Sequence, residues 1–166
     1  MSRRLGLHRV ELDALNWKPG WVGLHLSDPD LWSATVANAV SGDAWITDGN
    51  YSRGALPRIF PRATDVIWLD YPRSVVMRRV IGRSFSRAIS HQELWPGTGN
   101  REDFGRWLDK EHPIRWTWDT FKKFRASRDV LFAGDFLRHA RTYRVRHSRE
   151  ADLLIGSFPD NQMANY

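Results

Sequence analysis

Three short strand-like runs, each stopped by an aspartate, limit what this chain can fold into. "HRVEL" runs into Asp13, "AWIT" into Asp48 and "DVIWL" into Asp70. Between the first two lies "SDPDLWSATVANAVSG", where Asp28 can cap a helix and Pro29 suits its first position. Trp32, Val36 and Val40 then recur at helical spacing until Gly42. After the third run, Val76, Val80, Met77 and Ile81 mark one side of a helix from Ser74 to about Arg87. Strands that alternate with helices pair in parallel through crossover connections. The pattern therefore predicts an α/β fold, a parallel sheet with helices on both faces. Ligands of such sheets bind beyond the carboxyl ends of the strands, where all three aspartates fall.

The rest of the chain fits the same scheme. Gly54 to Phe60 reads as a short helix or turn, and "SHQELWPGTGNRED" as a loop in which Asn100 can cap a following helix with Asp103 three positions on. Ile114 to Phe124 reads as an amphipathic aromatic helix, Arg141 to Val145 as a last strand, and Ser148 as the cap of a helix from Arg149 to Ile155. Within that aromatic helix "WTWDTFKKF" is taken as a core-facing face in preference to a membrane-surface or partner helix. No internal repeat or linker interrupts the chain, which predicts one domain over residues 3–155 and a flexible tail over 156–166. A chain of 166 residues suits one core, and the nine tryptophans sit mostly within apolar patterns, as core-filling side chains would.

Composition removes several function classes. Without cysteine there is no disulfide scaffold and no thiolate metal site. The histidines His8, His25, His91, His112, His139 and His147 lack the H-x-x-x-H spacing of a helical metal site. No apolar run approaches the roughly 20 residues that cross a bilayer, and no signal peptide opens the chain, so a cytoplasmic protein with no membrane partner is expected. The net charge of +6 suggests an anionic partner, whether nucleotide phosphate, nucleic acid or an acidic lipid surface, and charge alone does not choose among them.

Two groups of residues carry chemistry. A single strand-end aspartate is as readily a turn former as a functional group. Asp48 stands out because Gly49 allows close backbone approach and Asn50 adds donors and acceptors. A carboxylate there could hold Mg²⁺ through water or accept a proton from a substrate hydroxyl. The second group is basic: Arg73, Arg78, Arg79, Arg83 and Arg87 lie between Asp70 and Glu93 with no acid among them. Arg79, Arg83 and Arg87, four apart, form one stripe on a helix. Phosphate would relieve their mutual repulsion, since guanidinium forks match phosphate oxygens. The alternatives are a solvated basic face or contact with a nucleic-acid backbone.

"VELDALNWKPGW", "WITDGNYS", "DVIWLDYPRSVVMRRVIGRS" and the later "READLL" together resemble the adenylate-kinase-like P-loop proteins known as DNA topology modulation proteins, a small-molecule kinase branch. The resemblance spans about residues 3 to 155. It implies a P-loop kinase fold, ATP and Mg²⁺ as ligands, and phosphoryl transfer to a nucleotide or other small acceptor. Carried over by position, it puts Asp13, Gly49 and Asn50 on the acceptor side and Asp48 near Mg²⁺ or the acceptor hydroxyl. Arg79 and Arg83 become lid-type catalytic residues on the ATP phosphates, with Arg78 and Arg87 as further phosphate contacts. Such roles suit a reaction whose catalysis is mostly positioning and charge neutralisation.

One departure is severe. The family's phosphate loop, G-x-x-x-x-G-K-[ST] between a first strand and a helix, does not occur here. Lys18, Lys110, Lys122 and Lys123 are the only lysines and none fits the motif, while "PGTGNR" follows no strand and has no lysine. By the same resemblance "SRRLG" corresponds to the helix after the loop, so a central first strand is expected to be absent. Three explanations compete: a start codon upstream of Met1, which is the preferred one, a degraded gene, and a rearranged fold. The 166-residue chain is accordingly expected to be a truncated, impaired kinase that binds ATP poorly. The alternative is a noncatalytic nucleic-acid-binding protein using its basic surface, including Arg138, Arg141, Arg144, Arg146 and Arg149.

Overall fold

The computed structural model describes residues 1–159. In chain order the elements are α1 (Ser2–Leu5), β1 (His8–Glu11), α2 (Leu12–Asn16), β2 (Trp17–Lys18), β3 (Val22–Gly23), α3 (Leu24–Ser27), α4 (Pro29–Ala39), β4 (Trp45–Asp48), α5 (Leu56–Ile59), β5 (Asp65–Leu69), α6 (Arg73–Ser90), α7 (Pro113–Ala133), β6 (Arg141–Val145) and α8 (Ser148–Ser157). The chain divides into two compact units: Met1–Thr64 together with the chain from Ser148, and Asp65–His147.

Each unit carries one parallel strand pair. In the first, β1 lies beside β4 with His8 opposite Trp45 and Glu11 opposite Asp48. In the second, β5 lies beside β6 with Asp65 opposite Arg141 and Leu69 opposite Val145. The α/β class and the parallel pairing follow the sequence expectation, whereas the single sheet is corrected to separate pairs. A continuous sheet needs strands with neighbours on both edges, and among the described residues each of these strands has one hydrogen-bonded neighbour. A further small antiparallel pair, β2 with β3, turns at Pro19-Gly20, where Gly20 takes a φ of 72°.

The first unit owes its core to α4. The Asp28 side chain accepts a hydrogen bond from the Leu31 N–H at 3.0 Å, and Pro29 opens the helix where no N–H is needed. This start directs Trp32, Val36 and Val40 inward against Val10, Leu12, Leu24, Ala55 and Ile59, all buried. Each of the buried Val, Leu and Ile side chains among them contributes about 1.5–3 kcal/mol. In the second unit α6 packs against α7, and Trp68 of β5 meets Phe132 of α7 with ring centroids 5.3 Å apart.

Several local expectations are corrected. Ile81 is 42% exposed although Ser84 and Ala88, three and seven positions on along the same face of α6, are buried. The aromatic helix is longer than the sequence pattern suggested, and α7 has no fully buried residue. Trp116 and Trp118 are 39% and 56% exposed, and only Trp32 and Trp95 of the nine tryptophans are buried. Trp118 is covered instead by a cation: the Arg73 guanidinium stacks 3.7 Å from its ring centre and donates to its carbonyl at 2.9 Å. Asn100 caps no helix; it is buried in a loop closed by the Glu93–Arg101 bridge. Asp103 caps the short turn Phe104–Arg106 through the Gly105 N–H at 2.9 Å. Of the expected tail, Gly156 and Ser157 belong to α8, and residues 160–166 lie outside the described residues.

Candidate functional site

In the first unit the parallel register of β1 and β4 brings both chain exits to one edge, with Glu11 beside Asp48. Beyond β1 the chain turns at once into α2, which carries Asp13; beyond β4 it passes through Gly49 and Asn50 to Tyr51. The Tyr51 hydroxyl donates to Asp13 Oδ1 at 2.6 Å, tying the two exits together. Burial, reinforced by the Asp13 carboxylate, pushes that hydroxyl above the ordinary phenol range, so it remains a donor.

Aromatic rings stand around this pair. Tyr51 packs against His25 and Trp32, with centroids 5.1 and 5.0 Å apart. Trp17 meets Trp21 edge-on at 5.8 Å and His25 at 6.3 Å. Asn16, fully buried, uses its side-chain oxygen to accept from the His25 backbone N–H at 2.9 Å, with the ring Nδ1 2.7 Å away. That oxygen can only accept, so the ring nitrogen facing it is the protonated one.

Asp48 is exposed. Arg9 Nη2 approaches Asp48 Oδ2 at 3.5 Å and Glu11 Oε2 at 3.4 Å. Solvent screens such contacts, and they contribute little to stability. Gly49 has a second reason to be glycine: its φ is 144°, and a Cβ there would stand 2.7 Å from Leu12 Cδ1. The close approach is thus to the chain's own core. Among the described residues no three His, Asp or Glu side chains gather into a metal site. A lone Asp48 carboxylate fits Mg²⁺ only where phosphate oxygens and water complete its octahedron.

In the second unit α6 carries the arginines as the sequence spacing required. Arg78, Arg79 and Arg83 are exposed and Arg87 is half-buried. The Arg79 guanidinium lies over the Tyr71 ring at 4.5 Å. Asp70, grouped by sequence with the ligand-facing strand ends, is buried and enclosed by arginines. Arg125 Nε meets its Oδ1 at 2.9 Å, and Arg144 Nη2 and Nε meet its Oδ2 at 2.7 and 2.8 Å. Arg144 also reaches Asp129 at 2.9 Å. Asp70 is therefore a structural clamp. The same holds for part of the basic surface offered to nucleic acid, since Arg138 pairs with Asp135 at 2.7 Å and Arg141 with Asp65 at 2.8 Å.

Asp13, Asp48, Gly49 and Asn50 thus share one strand edge, and Arg78, Arg79, Arg83 and Arg87 share one helix of the other unit. No family model, curated protein or solved structure matches this chain. Tyr51, Asn16, His25 and Arg9 were not singled out by sequence. A tyrosine directly after the D-G-N turn was the available signal for Tyr51; the Asn16–His25 contact had none. Charge is divided unevenly: the second unit holds seventeen basic and ten acidic residues, a net +7, and the remainder holds eight and nine, a net −1.

Proposed function

We propose that the chain is an adenylate-kinase-like phosphotransferase scaffold with ATP and Mg²⁺ as ligands and a nucleotide or other small hydroxyl-bearing acceptor. The observation that carries the reading is the parallel β1–β4 pair, which sends Asp13 and Asp48 out at one carboxyl edge and ties Asp13 to Tyr51 at 2.6 Å. In this reading Asp13 orients the acceptor beside the aromatic rings. Asp48 takes the proton of the attacking hydroxyl or holds Mg²⁺ through water. Arg79 and Arg83, with Arg78 and Arg87, are phosphate contacts on α6 of the second unit. Mg²⁺ would supply charge neutralisation on the phosphates when bound with the nucleotide.

The G-x-x-x-x-G-K-[ST] motif, whose backbone N–H groups cradle a triphosphate, does not occur in the sequence. The 166-residue chain is expected to bind phosphate chains weakly through α6 and to transfer phosphate hardly at all. The test is titration of tripolyphosphate into wild-type protein and an Arg79→Ala/Arg83→Ala variant. Weaker binding by the variant supports the reading, and equal binding overturns it. The charge of the second unit favours a second reading, a noncatalytic nucleic-acid-binding protein. A shift of nonspecific duplex that falls away steeply with salt, and is insensitive to Asp48→Ala, would favour it over the kinase.

A further inference from the structure

We propose that His112 is a pH-sensitive cap for α7: uncharged, it holds the first turn of the helix, and protonated, it releases it. The device is independent of phosphate handling and lies within the second unit.

α7 opens with Pro113, which has no N–H, so the Ile114 N–H is the first donor that needs an acceptor. His112 supplies it: Nδ1 accepts from the Ile114 N–H at 3.3 Å. An acceptor nitrogen carries no proton, so the single proton of the neutral ring sits on Nε2. Nε2 faces Glu102 Oε1 at 3.2 Å, and both side chains are buried. The approach is close without being lined up as a hydrogen bond; among the described residues Nε2, Oε1 and the neighbouring Trp107 Nε1 are buried and find no hydrogen-bond partner. The Trp107 ring lies 6.3 Å from the imidazole.

Protonation can occur only at Nδ1. The added N–H would then point at the Ile114 N–H, donor against donor. An imidazolium would also stand at the positive end of the α7 dipole. The charged groups facing the ring come from several segments: Glu102 from the loop, Arg106 from the Phe104–Arg106 turn and Asp109 from the turn before His112. Burial outweighs the two carboxylates and, with Arg106, holds the imidazole below its ordinary value. The folded protein thus takes up this proton less readily than the unfolded chain. The stabilisation is complete above the ordinary imidazole range and is lost as pH falls through it. The turn set free stands just before Trp118, whose carbonyl and ring hold Arg73 at the start of α6.

Two measurements test the switch. The ring-nitrogen NMR signals of His112 at about pH 7.5 should show the proton on Nε2. The melting temperature of the wild type should fall, from about pH 7.5 to about pH 5, by about 2–4 °C more than that of His112→Asn, whose side-chain oxygen accepts at any pH. A proton on Nδ1, or parallel losses in the two proteins, overturns the proposal. Should His112→Asn fail to fold, the wild-type ring tautomer decides alone.

Discussion

Replacing Asp70 by Asn tests the clearest energetic statement in the structure. The Asp70 side chain is 2% exposed, while Arg125 and Arg144 around it are 47% and 32% exposed. Asn keeps the shape but removes the charge and turns an N–H₂ toward one guanidinium, leaving two cations beside an uncharged group. Removing one partner of a buried ion pair costs about 3–5 kcal/mol. Here the arginines can recover water and Arg144 keeps Asp129, so the low end applies, about 3 kcal/mol. At roughly 2–4 °C per kcal/mol for a chain of this size, the melting temperature should drop by about 6–12 °C. Thermal melts followed by circular dichroism at neutral pH would show it, and the loss should persist at high salt because screening does not reach a buried carboxylate. A drop of less than about 2 °C would mean that the Asp70 clamp contributes little, and the structural reading of that strand end would fail.

Other substitutions probe the first unit. Gly49→Ala should destabilise by about 1–3 kcal/mol, because alanine there needs a φ it rarely adopts and meets Leu12; an unchanged urea midpoint would refute the packing reason for this glycine. Asp28→Ala should cost about 1 kcal/mol through the lost cap on α4, measurable by denaturant titration, and a neutral result would deny that cap its role. Tyr51→Phe removes the hydroxyl bonded to Asp13 and should cost about 1 kcal/mol. Full stability in that variant would mean that this contact does not hold the two strand exits together.

Strands β1, β4 and β5 and helix α4 were legible in the sequence because a local pattern suffices for them: β-formers ending at an acid, and Asp-Pro before a four-residue apolar period. What local pattern cannot supply is coverage. Trp116 and Trp118 have the composition of a core helix, yet α7 also carries Arg115, Lys122, Lys123, Arg125 and Arg128, which leave a narrow apolar stripe. Asp13 and Asp70 looked alike as strand-end acids. They differ through residues far away in sequence, Tyr51 for one and Arg125 and Arg144 for the other. Asn100 carried a cap signature and Asp103, three residues on, does the capping, because the Glu93–Arg101 bridge fixes where the loop ends.

Phosphorus NMR of Mg·ATP mixed with the 166-residue protein tests the central claim most directly, since binding and turnover appear in one spectrum. The account predicts that the phosphate signals broaden with wild-type protein, broaden less with the Arg79→Ala/Arg83→Ala variant, and yield almost no product when a nucleoside monophosphate is present. Equal broadening by the two proteins would contradict the phosphate role of α6. Product formed at an appreciable rate, and abolished by Asp48→Ala, would contradict the expectation that transfer is slow without the G-x-x-x-x-G-K-[ST] motif.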